Sequence, residues 1–178
     1  MSRKFSAGRD APARPALVVY ESMWGNTGRI AEAIARGMGG ATVAEVSNAS
    51  LADVPGLDLL VVGGPTHAFS MTRSTTRQDA HRQGAPRGGE QRGIRELLAE
   101  LPADLDVPVA TFDTRVAKVR HLPGSAAKAA EKALRGHHGA RVVGRESFHV
   151  EDSAGPLLPG EVERAEAWGA HLATADTS

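Results

Sequence analysis

The sequence contains no cysteine among its 178 residues. This absence excludes disulfides, thiolate nucleophiles, zinc–thiolate sites and iron–sulfur clusters held by cysteine. The seven histidines show no i, i+4 pairing with carboxylates, so the sequence predicts no metal site. Any redox chemistry in this chain therefore requires a bound organic cofactor or a metal site without thiolates.

The sequence also lacks net charge and long apolar runs. Lysine plus arginine and aspartate plus glutamate each number 21, and aromatic residues make up only 4% of the chain. A balanced charge with no basic stretch interleaved with aromatic residues predicts no nucleic-acid partner. No run approaches the roughly 20 apolar residues of a membrane-spanning helix, so we expect a cytoplasmic protein without membrane insertion.

The length is typical of one domain of ordinary size. Residues 1–15 are basic and polar and lack the apolar segment of a secretory signal, so we expect a flexible N-terminal tail. From residue 16 onward, short apolar runs alternate with helical patterns, which is typical of a parallel sheet covered by helices on both faces. We therefore predict a single α/β domain over residues 16–178.

Apolar runs and helical periodicity set the predicted elements. The five predicted strands are Ala16 to Glu21, Ala41 to Val46, Leu57 to Gly64, Val107 to Phe112, and Ala140 to either Val143 or Val150. The predicted helices are Asn26 to about Met38, a short turn over residues 51–54, Ile94 to Glu100, Gly124 to Arg135, and Glu161 to Ala173. The third strand is nearly all apolar and is therefore placed at the centre of the sheet. Trp168 lies at helical spacing with apolar residues, so we expect it in the core.

The connection over residues 65–93 is much longer than the usual strand-to-helix loop of about 2 to 6 residues. We expect part of it to be mobile. It has a local excess of arginine over carboxylates, which allows three interpretations: solvated surface, a lid over an anionic ligand, or a docking surface for an acidic partner. The charged residues concerned are Arg73, Arg77, Asp79, Arg82, Arg87, Glu90 and Arg92.

The turn after the first strand has the features of an anion site. The strand runs directly into the turn Ser22-Met23-Trp24-Gly25-Asn26-Thr27, which opens an amphipathic helix. A helix start has unpaired backbone N–H groups and the positive end of the helix dipole, so it binds phosphate without a lysine. The turn lacks the Gly-Lys-Ser/Thr ending of a Walker loop and the three glycines of the dinucleotide fingerprint. An ordinary turn capped by Ser22 or Asn26 is the alternative.

This turn resembles the phosphate loop of flavodoxins, which holds the FMN phosphate, with Trp24 at a position where that family usually has threonine. The resemblance covers nearly the whole chain from Ala16 and is to the short-chain type, with a long loop after strand three. It implies a doubly wound, five-stranded parallel sheet of order 2-1-3-4-5, with helices on both faces. FMN is then expected at the switch point between strands one and three, as in flavodoxin itself, because ligands of such sheets bind where the strand order reverses. No second phosphate-binding element is visible, so FMN is favoured over FAD.

The resemblance also implies which loops line the site. It assigns the phosphate to the first loop and the flavin ring to the loops after strands three and four. His67 could donate to a flavin carbonyl or act as an acid or base, or could simply hydrogen-bond within a turn. Phe69 could stack on the flavin or anchor the loop, and Arg115 could cover the outer ring face or pair with Asp113. The residues assigned to cofactor binding are Ser22, Met23, Trp24, Gly25, Asn26, Thr27, Thr66, His67, Ala68, Phe69, Asp113, Thr114 and Arg115.

Two functions follow from the resemblance. The first is electron transfer through FMN, either as a carrier for a redox partner protein or as an oxidoreductase resembling quinone-reducing or protoporphyrinogen-oxidising relatives, acting on a small aromatic or quinone substrate. Flavodoxins usually have a tyrosine after strand four that stacks on the outer face of the flavin, whereas the only tyrosine here is Tyr20 in strand one. This difference and the balanced charge slightly favour the oxidoreductase, because carriers of this family usually have an acidic rim. The second is a binding or regulatory module without FMN, in which Trp24 fills the cofactor space. Either is compatible with a monomer or a small homo-oligomer.

Overall fold

A computed structural model describes residues 15–175. The predicted tail therefore lies outside the described residues, apart from Pro15. The five strands form one parallel sheet in the order β2-β1-β3-β4-β5, which confirms the predicted topology. The strands are β1 (Ala16–Tyr20), β2 (Thr42–Glu45), β3 (Leu59–Pro65), β4 (Val109–Val116) and β5 (Val142–Val150).

Strand β3 lies at the centre of the sheet, as its apolar sequence predicts. It pairs with β1 and β4, and residues 59–64 are buried. Alternate side chains face opposite sides, so two apolar cores form: Leu60 and Val62 pack on one face, and Val61 packs on the other.

Four of the five described α-helices cover the two faces, and α2 packs on the turn after β1. Helices α3 and α4 contribute to the core that contains Leu60, whereas α1 and α5 pack on the opposite face. Helices α1 and α5 approach closely because both carry a glycine at their contact: a Cβ at Gly169 would lie 2.1 Å from the Ile34 carbonyl oxygen. The helices are α1 (Asn26–Gly37), α2 (Ser74–Arg82), α3 (Ile94–Glu100), α4 (Ala126–His137) and α5 (Glu161–Thr174).

Aromatic packing holds α5 against the sheet. Trp168 packs on the core that contains Phe148, with ring centroids 6.1 Å apart and an angle of 65° between the planes. Its core position agrees with the prediction. None of the helices within residues 15–175 is long and apolar enough to cross a membrane.

Three local features differ from or refine the predictions. Strand β4 continues to Val116, so the predicted end at Phe112 is four residues too early. Strand β5 runs without interruption to Val150, the longer of its two predicted alternatives. The long connection contains a helix, α2, that the sequence analysis missed, and the short turn before β3 is a 3₁₀ helix at Val54–Gly56.

Candidate functional site

A narrow cleft lies at the carboxyl ends of the strands, next to the end of β1, which lies between β2 and β3 in the sheet. Its volume is about 40 Å³, which is room for about three water molecules or a group of phosphate size. The rings of a larger ligand would have to lie at its mouth. The cleft is lined by Ser22, Met23, Trp24, Asn26, Thr27, Pro65, Thr66, His67, Thr114, Arg115, Val116, Val150 and Ser153.

The start of helix α1 leaves backbone donors unused. Gly25 has φ +95° and precedes the first helical residue, and no side chain caps the helix. Neither the Ser22 nor the Asn26 side chain accepts a hydrogen bond from an N–H of the helix itself. The buried Ser22 hydroxyl instead accepts a hydrogen bond from the Gly25 N–H at 3.0 Å, which leaves the hydroxyl proton available for a ligand. No acidic residue lies in the first turn, so nothing in the helix neutralises its dipole there.

The start of helix α4 shows the opposite arrangement. The Asp113 carboxylate accepts from the Ala127 N–H at 2.8 Å, the Thr66 hydroxyl accepts from the Ala126 N–H at 2.9 Å, and Ser125 caps the Lys128 N–H. These side chains use the donors that a ligand would need. The contrast makes α1, rather than α4, the helix start that can receive an anion.

Trp24 packs on an apolar cluster beside the start of α1. Its partly buried side chain packs against Met23 and against Ala80 and Ala85, which belong to α2 and the turn after it. The missed helix α2 thus provides the apolar surface that receives this ring. Trp24 also lines the cleft.

The loop after β3 forms a tight turn. His67 and Ser70 exchange two backbone hydrogen bonds of 2.9 Å, and Ala68 and Phe69 between them have φ of 46° and 61°. His67 lines the cleft, whereas Ala68 and Phe69 lie at the exposed tip outside it. Burial lowers the pKa of His67, so its imidazole is neutral at pH 7 and serves as a hydrogen-bonding group rather than a cation.

The three residues assigned to the third loop lie within β4. Thr114 reaches the first loop, because its hydroxyl and that of Thr27 are 2.7 Å apart. Asp113 is fully buried beneath α4 and does not line the cleft. The Arg115 guanidinium donates to the carbonyl oxygens of Val119 and Leu122 at 2.9 and 3.1 Å, and not to Asp113 as one prediction had it.

Two buried side-chain atoms within residues 15–175 have no hydrogen-bond partner: Asp113 Oδ1 and Arg115 Nε. A buried donor without a partner is unfavourable and often marks the place of a missing polar group. Arg115 lines the cleft, so its Nε–H is a donor available to a ligand at that point. Asp113 does not line the cleft, so its Oδ1 is not available to a ligand there.

A buried network holds the site loops together. The Glu21 carboxylate, directly before the first loop, accepts from the Thr72 hydroxyl and from the Ile94 N–H, the latter at 2.9 Å. Arg77 of α2 is fully buried and donates to the Thr72 hydroxyl and to Glu96, each at 2.9 Å. Burial raises the pKa of Glu21, while hydrogen bonds, chiefly from Arg77, outweigh burial and lower that of Glu96.

Sequence reasoning missed one contribution to the site and left the role of another open. The first is the loop after β5: Ser153 lines the cleft, and a Cβ at Gly155 would lie 2.8 Å from the Asn26 side chain. The Gly155-Pro156 pair directly after a strand was the available signal. The second is Arg87, whose backbone N–H donates to the Met23 carbonyl oxygen at 3.2 Å and whose Nε lies 3.5 Å from the Cβ position of Gly25.

A second cleft adjoins the first on the outer side of the turn. Its volume is about 410 Å³, and Ser22, Trp24 and Asn26 border both clefts. Gly25, Arg29 and Arg87 line this outer cleft, so two arginines lie near the start of α1. Within residues 15–175, no group of histidine and carboxylate side chains is arranged to hold a metal ion.

Together these features define a doubly wound α/β protein with a cleft at its switch point and a helix start there that has unpaired backbone donors. Comparison with known proteins agrees with this class. The flavodoxin family model matches residues 18–91, which span most of β1 through α2 and include the turn before α1. The resemblance to flavodoxins is thus confirmed, and the chain is flavodoxin-like.

Solved structures extend the likeness to nearly the whole chain. A flavodoxin from the domain Archaea is 20% identical, with a TM-score of 0.59, covering 89% of this chain and 96% of its own. A flavodoxin, WrbA-like protein from Agrobacterium tumefaciens is 20% identical, with a TM-score of 0.56 and coverage of 90% and 95%. Oxidised flavodoxin 2 from Bacillus cereus is 20% identical, with a TM-score of 0.56, covering 87% of this chain and 94% of its own. No curated protein matches the chain. At this identity the structures establish the flavodoxin-like fold.

Proposed function

We propose that this protein binds FMN at the start of α1 and transfers electrons through it. The observation that carries the proposal is the helix start at the switch point, which has a left-handed Gly25, no side-chain cap and no carboxylate in its first turn. The backbone N–H groups at this helix start have no acceptors among the described residues. A phosphate group would supply such acceptors. The unpartnered Nε of Arg115 in the same cleft supports a ligand with acceptor atoms.

The residues present fit this ligand in two parts. The backbone N–H groups at the start of α1 and the Ser22 hydroxyl would hold the phosphate, and the charge of Arg87 would add to the positive potential outside the turn. The ring system would lie at the mouth of the cleft, between the turn at His67 and the end of β4. FMN is preferred to FAD because the site has one phosphate-binding element.

The bound flavin would supply one- or two-electron redox chemistry. The protein would supply binding, orientation and hydrogen bonds. His67, neutral through burial, can donate one hydrogen bond or accept one at the cleft, depending on its tautomer. Thr114 holds Thr27 and so keeps the strand β4 in contact with the phosphate turn.

The electron acceptor would be a redox partner protein or a small aromatic or quinone substrate. Phe69 at the edge of the site is exposed, and the single tyrosine of the sequence, Tyr20, lines the outer cleft rather than the proposed ring position. One side of that ring position would therefore be open to such a partner. The cytoplasmic location and the choice between carrier and oxidoreductase stay predictions.

Titration of the purified protein with FMN and with riboflavin, followed by flavin fluorescence, tests the proposal. We expect FMN to bind more tightly than riboflavin, because only FMN has the phosphate. Alanine at Ser22 and Thr27 removes hydroxyl groups that touch or support the phosphate. Each substitution should weaken FMN binding by about 1–3 kcal/mol and should change riboflavin binding little.

Equal affinity for the two flavins would contradict the phosphate site. Binding of neither flavin would favour the module without FMN. Ser125→Ala, which removes the cap of α4 rather than a group at α1, is the matched control and should leave the difference between FMN and riboflavin unchanged.

A further inference from the structure

Two large apolar side chains are exposed on the described part of the molecule. Phe69 retains 46% of its accessible surface and Leu122 retains 47%. Phe69 is held outward by a turn in which it and Ala68 both adopt left-handed backbone conformations, which are unfavourable for residues other than glycine. Such strain is usually found at functional positions. The fold therefore accepts an unfavourable backbone to present this ring.

The two side chains belong to neighbouring loops. A Cβ at Gly124 would lie 2.7 Å from the Phe69 carbonyl oxygen, so the connection from β4 to α4 packs directly on the turn. Leu122 is two residues before this contact. Arg115 donates to the Leu122 carbonyl oxygen at 3.1 Å and fixes the connection in place. Both side chains thus lie on one surface beside the cleft.

The loops that carry this apolar pair are rich in positive charge. Residues 66–73 and 115–125 contain no aspartate or glutamate but four cationic side chains, of which Arg73, Lys118 and Arg120 are exposed. Within residues 15–175, none of these three pairs with a carboxylate. The register of β4 with β5 brings Glu151 and Asp152, which follow Val150, to one side of this surface and marks its boundary.

We propose that Phe69, Leu122, Lys118 and Arg120 form a docking surface for an acidic protein that exchanges electrons with the neighbouring site. An apolar centre with charge around it is the usual arrangement of a protein interface, and opposite charge on the partner speeds and orients encounter. The electron exchange rests on the proposed FMN function, whereas the docking itself does not.

A second copy of the chain fits this surface less well. Two copies meeting through the same surface would bring like charges together. The opposite end of the sheet, where β3 and β4 begin, has exposed carboxylates, but among the described residues it has no exposed large apolar side chain to meet Phe69 and Leu122. The exposed carboxylates there are Asp53, Asp58, Asp104 and Asp106.

The test measures binding of a fluorescently labelled plant-type [2Fe–2S] ferredoxin, a small acidic protein, by fluorescence anisotropy. Cytochrome c, which is basic, is the opposite-charge probe. We expect ferredoxin to bind at low salt and more weakly at high salt, and cytochrome c not to bind. Lys118→Glu, Arg120→Glu and Leu122→Ser should each raise the ferredoxin Kd about tenfold, which is a typical loss for one important interface residue.

Lys132→Glu is the matched control, because this exposed lysine lies farther along α4 and its replacement makes the same change in net charge. It should change the ferredoxin Kd less than about twofold, as expected for a charge outside the interface. No ferredoxin binding, equal effects of all the charge variants, or stronger binding of cytochrome c would overturn the proposal.

Two further results would assign the surface to another occupant and so overturn it. One is self-association in sedimentation velocity that Arg120→Glu abolishes, and the other is tighter binding of a single-stranded oligonucleotide than of ferredoxin. The anisotropy experiment needs no flavin. Failure of FMN titration would therefore count against the proposed function alone, and failure of ferredoxin binding would count against the docking surface alone.

Discussion

At the scale of single residues, the buried Arg77 has an unusual position for a charged side chain. Its guanidinium has no solvent exposure, lies 3.9 Å from the Glu21 carboxylate, and donates to the Glu90 carbonyl oxygen at 2.9 Å. A buried ion pair contributes little net stability compared with an apolar pair, but removal of one partner leaves a buried charge uncompensated. Removal of Arg77 alone, with its partner Glu21 left in place, should therefore destabilise the fold.

We expect Arg77→Ala to lower the free energy of unfolding by about 3–5 kcal/mol, measured by urea denaturation. Arg82→Ala in the same helix removes an exposed ion pair with Asp79 and should lower it by less than about 1 kcal/mol. The double variant Glu21→Gln with Arg77→Met removes both charges and should recover part of the loss. A loss for Arg77→Ala no larger than for Arg82→Ala would contradict the network.

Arg87 illustrates a different use of arginine. It is exposed, its Nε lies 3.5 Å from the Cβ position of Gly25, and it borders the outer cleft. A cation so close to the proposed phosphate adds favourable electrostatic energy that is partly screened by water.

We therefore expect Arg87→Ala to weaken FMN binding by about three- to tenfold, which corresponds to the loss of roughly 1 kcal/mol from one charge-assisted contact. Riboflavin affinity should stay the same, and the FMN effect should diminish as salt increases. Arg73→Ala, an exposed arginine of the same connection outside both clefts, serves as the comparison. Equal losses for FMN and riboflavin would mean that Arg87 acts on the turn and not on the phosphate.

At the scale of elements, the end of the long connection packs on the phosphate turn. Gly88 has φ +82°, and a Cβ there would lie 2.6 Å from the Met23 sulfur and 3.1 Å from the Ser22 carbonyl oxygen. Gly84, four residues earlier, has φ +95° and open space around it. The two glycines share a backbone conformation and differ in what a side chain would meet.

Alanine at either glycine should lower stability by about 1–2 kcal/mol, which is the cost of a left-handed backbone for a residue with a Cβ. Only Gly88→Ala should also weaken FMN binding, because its Cβ would displace the loop that holds the phosphate. Thermal unfolding and FMN titration of the two variants separate these effects. A similar FMN affinity in both variants would show that the contact at Gly88 does not position the turn.

The elements show which features the sequence could predict. Strands β1 and β3 are apolar runs buried on both sides, and their pattern is sufficient. Helix α2 has only one buried apolar residue, Ala80, and depends instead on the ion pairs of Arg77, which are made with residues distant in sequence. Local periodicity therefore carried no signal for it.

Only part of the candidate site could be predicted from the sequence. The first loop follows from its glycine and its place before a helix, and the strand order came from the resemblance to flavodoxins. The polar sequence of Asp113 to Arg115 predicted a loop, yet these residues lie in β4 because α4, Thr27 and the Val119 and Leu122 carbonyls provide partners for them. Burial of polar side chains depends on partners that a sequence pattern does not contain.

At the scale of the whole molecule, the site exists only in the folded chain. Its lining residues come from four separate strand ends, so the unfolded chain has no equivalent site for FMN. A ligand that binds only the folded state stabilises it in proportion to the logarithm of its concentration. The stability of the whole fold should therefore increase when a ligand occupies this cleft, although the volume of the cleft is only about 40 Å³.

At an FMN concentration of 100 times its Kd, we expect stabilisation by about 2.7 kcal/mol. For a chain of this length that corresponds to a rise in Tm of roughly 5–10 °C in a thermal-shift measurement. Riboflavin at the same concentration should raise Tm less, because the donors at the start of α1 would have no phosphate to bind. An equal rise with both flavins would locate the binding energy in the ring and remove the phosphate turn from the site, whereas a rise with FMN alone would tie the stability of the fold to the helix start at Gly25.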